Sequence, residues 1–152
     1  MRSLKIAAMV SIAAACLSAA SDPFSGVWKL NLVKSKLPAP AVQSQTATIE
    51  ADGEGIRIRE EIVNDKGEHL TVTVNAKFDG KDYPVSGTPL ADTVAYRRVD
   101  SRTIDGTAKK AGKVVTTERA VVSGDGKTLT VTYTGKDAAG KPVTGVGVFE
   151  KQ

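Results

Sequence analysis

Ten short runs in which polar and apolar residues alternate, separated by turns that carry glycine, constrain this chain more than any other feature. The cleanest run places Leu70, Val72, Val74 and Ala76 on one side and Thr71, Thr73 and Asn75 on the other. Successive side chains of a strand point to opposite faces, so this spacing predicts a half-buried β-strand. The stretch Gly26-Val27-Trp28-Lys29-Leu30-Asn31-Leu32-Val33, which carries the only tryptophan, alternates in the same way, with Trp28, Leu30 and Leu32 on its apolar face. Further strands are expected at 43–50, 56–62, 82–86, 93–99, 103–108, 114–122, 128–134 and 143–150. The strand at 82–86 is held short by Pro84, and Pro38 and Pro40 make 34–42 an irregular crossing segment. In the run from Ile56, the residues Ile56, Ile58 and Ile62 alternate with Arg57, Arg59 and Glu61. Gly53 and Gly67 lie fourteen residues apart, as do Gly112, Gly126 and Gly140. A strand of about nine residues plus a turn of about five accounts for that spacing.

No segment sustains a helical period. Ten consecutive strands with short turns predict an all-β fold, an antiparallel up-and-down meander closed into a barrel. Closure removes the two edges that an open sheet would present. An outer-membrane barrel needs an apolar outer band with aromatic girdles. Here one strand face is Thr, Lys, Arg and Glu and the other is Val, Ile and Leu, so the apolar face is expected to point inward, as in a water-soluble barrel.

The first twenty residues read as a secretory signal. Arg2 and Lys5 form a positive start, Ile6 to Leu17 is an apolar run, and Ser18-Ala19-Ala20 supplies small residues before a cut at Ser21. Residues 1–20 are therefore expected to be removed on export to the periplasm or the exterior, leaving 21–152 as a single barrel domain. The apolar run is too short for a transmembrane segment. Cys16 is the only cysteine and falls inside the signal. The alternative is a lipoprotein anchored through Cys16, although Ala13-Ala14-Ala15-Cys16 lacks the usual leucine of a lipoprotein box.

The formal charge of +4 includes Arg2 and Lys5; without them 19 basic residues face 17 acidic ones. The charges are interspersed and the aromatics few, which argues against a nucleic-acid footprint. His69 is the only histidine, beside a polar turn, and without cysteines it cannot assemble a zinc site. A Ser-His-Asp triad would have to use it, and no nucleophile elbow is present. Glu60 and Glu61 are neighbours on a strand and so point to opposite faces, unable to act together on one atom. These residues give no reason to expect an enzyme, a metal or a cofactor, and the chain is expected to be a monomer.

Gly26-Val27-Trp28-Lys29-Leu30 resembles the Gly-x-Trp-Lys-Leu opening of fatty-acid-binding proteins and, more loosely, of lipocalins. Thr117-Glu118-Arg119, then Asp125-Gly126-Lys127-Thr128-Leu129-Thr130, then Val148-Phe149-Glu150-Lys151 resembles the closing run of the same calycin group. The mature chain also resembles small secreted bacterial lipocalin-like proteins. The resemblance implies a barrel with an internal cavity. It departs from the fatty-acid-binding pattern in two places. Residues 34–42 are too short and proline-rich for that family's two-helix lid. The inward Arg-x-Tyr that holds a carboxylate there is replaced by Gly147 and Phe149, while Arg119 takes the place of the family's other inward arginine.

The candidate ligand-binding residues are Arg119, Tyr96, Tyr133, Trp28 and Phe149. Arg119 would hold an anion if its face of the strand points inward; otherwise it belongs to an internal ion pair or to the outer surface. Tyr96 and Tyr133, with Tyr83, either line a cavity or pack with their hydroxyls at the rim. Trp28 either plugs one end or touches a ligand. Arg97 and Arg98 fall on opposite faces, so one of them points inward. The first functional reading is a non-enzymatic binding protein for a small apolar or amphipathic ligand. The second is a cell-envelope interaction protein with a filled barrel that binds a protein partner through its loops. Cavity volume discriminates them, since ligand pockets run to about 300–1,000 Å³.

Overall fold

A computed structural model describes residues 20–137 and 139–152. The expected signal at 1–20 and Cys16 lie almost wholly outside the described residues, which begin at Ala20. The described chain is all-β, without helix, and its ten strands are β1 (Gly26–Leu30), β2 (Val42–Ala51), β3 (Gly55–Asn64), β4 (His69–Lys77), β5 (Tyr83–Ser86), β6 (Thr93–Asp100), β7 (Thr103–Lys110), β8 (Lys113–Val122), β9 (Thr128–Lys136) and β10 (Pro142–Lys151). Each pairs antiparallel with its sequence neighbours, and β10 pairs back onto β1 to close the barrel. This architecture is consistent with a calycin-like barrel. Gly67, Gly112, Gly126 and Gly140 all have positive φ in the turns, the conformation glycine adopts without steric cost.

The first strand is shorter than its alternation implies. It ends at Leu30 because Asn31 starts a turn: its Oδ1 accepts the Lys34 amide at 3.0 Å, and its carbonyl accepts the Ser35 hydroxyl at 2.6 Å. Leu32, expected on the apolar face, is consequently 47% exposed. The segment that follows does not leave the barrel. Lys36 and Val146 exchange backbone hydrogen bonds of 2.7 Å, so the crossing segment extends the wall beside β10 where β1 has stopped. Leu37 then packs against the core, and Pro38 lies over Gly145.

The apolar faces point inward as expected: Ala47 and Ile49 of β2, Ile56 of β3, Val74 and Ala76 of β4, and Leu129 and Val131 of β9 are buried. The end bearing the β2–β3, β6–β7 and β8–β9 turns is closed. Trp28 is 0% and Phe24 1% exposed, and the indole Nε1 donates to the Phe24 carbonyl at 2.8 Å. Ser25 ties the same segment to β2 by exchanging hydrogen bonds with Ala51. Trp28 is thus a floor to the barrel.

Candidate functional site

Above that floor the barrel holds a cavity of about 180 Å³. Its walls are apolar, contributed by residues such as Ile58, Val74, Val94, Ile104, Val131 and Phe149. Four polar side chains with acid or phenol groups interrupt them: Glu60, Tyr96, Glu118 and Tyr133. Three of the four stand in one row across the sheet. Tyr96 of β6 is paired with Gly106 of β7, Gly106 with Glu118 of β8, and Glu118 with Tyr133 of β9. Gly106 is what lets this row form. A Cβ added there would meet Glu118 Cγ and Oε1 and Tyr96 Cε1, all at 2.8 Å. Glu60 enters from β3, with Gln45 of β2 beside it.

Electrostatics set this group apart. Burial, together with the facing Glu118 charge, raises Glu60 from its ordinary 4.5 to about 7, against the opposing influence of the Gln45 side chain. Burial raises Glu118 as well, and contact with the Tyr96 hydroxyl works the other way. Tyr96 and Tyr133 are pushed well up, first by burial and then by the two carboxylates. Among the described residues, no lysine, arginine or histidine lines the cavity to compensate them.

Of the five candidate ligand residues, Tyr96, Tyr133 and Phe149 line the cavity, while Trp28 and Arg119 do not. Arg119 requires correction as an inward anchor. Its side chain is on the outer face, 59% exposed, with Nε and Nη2 both donating to the Asp105 carboxylate at 2.7 Å. β8 pairs without interruption from Thr116 to Val122 and its inward parity is that of the buried Val122, so that Thr116, Glu118 and Ala120 face the cavity instead. Gly147 and Phe149 do face inward, as the resemblance implies. Of the adjacent arginines, Arg98 points inward at the floor and Arg97 lies outside across Gly80. Tyr83 is not in the cavity; its hydroxyl donates to Asp79 Oδ2 at 2.7 Å.

Glu60 and Glu118 are the residues that sequence reasoning missed. The signal for Glu60 was present, because it occupies the inward parity of Ile56, Ile58 and Ile62. Glu61, as expected, points away and pairs with Arg59.

A groove of about 560 Å³ on the outer side of β2 to β5 is larger but open, bordered by Arg57, Arg59, Thr73 and Asn75. Among the described residues, no three His, Cys, Asp or Glu side chains gather as a metal site would require. No described helix is long and apolar enough to cross a membrane. No protein-family model matches this chain, and no curated protein matches it either.

Proposed function

We propose that this chain is an exported, monomeric, non-enzymatic binding protein that takes a small amphipathic molecule into its barrel. The observation that carries the reading is the cavity itself: apolar walls, with a few polar groups converging on one region, are the usual make-up of a small-molecule site. The volume of about 180 Å³ sets the scale. It is below the range of about 300–1,000 Å³ that was to mark a ligand site, so volume by itself does not favour a ligand and the reading rests on the make-up of the walls. At that volume the ligand is small. Long-chain fatty acids are poor candidates, both for size and because the cavity offers their carboxylates no cation.

A second reading keeps the barrel and moves function to its loops. It is favoured by Leu32 and Val33 on the β1–β2 connection and Leu90 on the β5–β6 connection, exposed at the same end of the barrel. Calorimetric titration of the mature protein with short amphiphiles and with palmitate separates the two. Millimolar or tighter binding of a short amphiphile, with palmitate weaker, is the expected result. Failure of every small molecule to bind leaves the loop reading. Intact mass of the exported protein tests the processing: a chain starting at Ser21 is expected, and a diacylated Cys16 would replace soluble export with anchoring.

A further inference from the structure

Glu60 and Glu118 line the same apolar cavity, and among the described residues no cationic side chain lines it with them. We propose that the cavity is built for a small organic cation, a primary or secondary alkylammonium whose charged head sits between Glu60 and Glu118 and whose carbon chain lies against the Ile, Val and Phe walls. The proposal rests on the binding reading above and names its ligand class.

Three observations support it independently of one another. The first is the inventory of groups around the carboxylates. From β2 comes the neutral Gln45, from β6 Tyr96, and from β9 Tyr133; β4, β5, β7 and β10 present Val72, Val85, Ala108 and Phe149. Every titratable group facing the pair is therefore an acid, and both phenols are acceptors for an ammonium as well as donors to a carboxylate. The second is how the polar groups are seated. Gly106 and Gly147 stand at inward positions where a side chain would strike Glu118, Tyr96, Phe149 or Tyr133, so the sheet gives up two side chains to hold these groups at the cavity wall. Tyr96 is only 6% exposed, and its hydroxyl is directed to Glu118. The third is the contrast with the remaining inward-facing charge. Arg98 lies at the floor, is paired with Asp22 at 2.6 Å and is packed on aromatic rings, so it is committed away from the carboxylates. A buried charge that is left without a partner costs stability. An entering ammonium supplies the missing partner and makes charge-assisted hydrogen bonds where water is scarce.

Proton balance gives the site a signature. An alkylamine arrives protonated, because its own proton leaves only near the pH at which lysine titrates. Each carboxyl group that is still protonated must give up its proton as the ammonium docks. Binding therefore releases protons to solvent near neutral pH and tightens as pH rises toward about 8.

The test is calorimetric titration of the mature protein with three probes of equal length: n-hexylamine, 1-hexanol and hexanoate. At about pH 8 the amine is expected to bind about tenfold or more tightly than the alcohol, the worth of one charge-assisted hydrogen bond, and hexanoate is expected to bind most weakly. Repeating the amine titration in buffers of different ionisation enthalpy, near neutral pH, should show proton release. Glu60→Gln, which preserves shape and hydrogen-bonding capacity, should cost the amine about tenfold and leave hexanol within about twofold. Hexanol binding as well as hexylamine overturns the cation proposal and leaves the binding reading standing. If none of the three binds, both fail.

Discussion

At the floor of the barrel Arg98 points inward and meets Asp22 at 2.6 Å; higher up, Glu60 and Glu118 point into one cavity with two phenols, and an amide stands beside Glu60. The floor is a finished structural device. The Arg98 guanidinium lies 4.6 Å from the Phe78 ring centroid and 5.6 Å from that of Phe24, and it also donates to the Asp52 and Ser101 carbonyls. Only its Nε is left without an acceptor among the described residues. The cavity reverses this arrangement: two acids share it, and among the described residues no cation lines it. The difference teaches how to tell a buried charge that holds a fold from one that costs it: a charge kept against its own energetics points to something other than stability. Three changes break or sharpen the contrast.

The largest effect belongs to the floor. Asp22→Ala leaves Arg98, 17% exposed, without its carboxylate, and for such a part-buried pair the expected loss is about 3 kcal/mol, the low end of what breaking a buried pair costs. Urea melts should show the loss in full, with the slope unchanged. Adding Arg98→Met to Asp22→Ala should recover much of it, because an apolar side chain of similar length suits the rings of Phe24 and Phe78. A single Asp22→Ala variant as stable as wild type would show that the floor is not held by this pair.

The cavity should respond with the opposite sign. Glu60 is raised from 4.5 to about 7, so between those values the folded protein holds a proton that the unfolded chain has released. Stability therefore falls as pH rises through that window, by about 3 kcal/mol for a shift of this size, and Glu118 works in the same direction. The surface carboxylates run the other way. Asp92 is held below its ordinary value by the Ala111 amide and then by Lys110, so its contribution is lost as pH falls below 3.8. Together these place maximum stability at roughly pH 4–5, in the gap between the two windows. Glu60→Gln removes the interior component. The variant should gain about 3 kcal/mol over wild type at about pH 8 and almost nothing near pH 4, below the value at which Glu60 titrates in the unfolded chain, where the group is neutral in both states. Parallel urea melts at the two pH values check this; equal gains at both would mean that charge burial is not the cause.

The same two regions show what was legible in the sequence. Alternation locates all ten strands, and most of their ends fall at turn residues, although β1 stops at Leu30, short of its alternation, and Pro84 lies within the short β5. Where a strand has a single apolar parity, that parity faces inward, as along Leu70 to Ala76. The floor was partly legible, since a lone tryptophan on the first strand has few other places to go. The cavity was not, for two physical reasons. In β3 one acid among three isoleucines breaks an otherwise apolar face, and such a break is hidden when attention follows the apolar residues. In β8 valines occur on both parities, Val114 and Val121 being exposed while Val122 is buried, so its apolar pattern does not by itself give the phase. Which of Glu118 and Arg119 looks inward depends on that phase. The arginine pair at 97 and 98 posed the same question, answered by Asp22, a residue distant in sequence.

Arg119→Met gives the smallest effect and sharpens the contrast from outside the barrel. An arginine inside the cavity would anchor an anion, and its loss would remove most anion affinity; an arginine in a buried pair would be costly to lose. Neither applies to a side chain that is 59% exposed and paired with an Asp105 that is 40% exposed. Pairs at such a surface contribute little, because solvent screens both charges and two side chains must be held in place. Asp105, held low by Arg119, stays soluble as a free carboxylate when its partner is gone, whereas a stranded interior carboxylate would not. The substitution should therefore leave the urea midpoint nearly unmoved and the hexylamine and hexanol affinities within about twofold of wild type. The one expected change is near the surface: Asp105 loses the cation that lowers it, and its titration, followed by NMR, moves back toward the ordinary carboxylate range. A large loss of hexanoate binding in Arg119→Met would return this arginine to the interior and reverse the assignment of faces along β8.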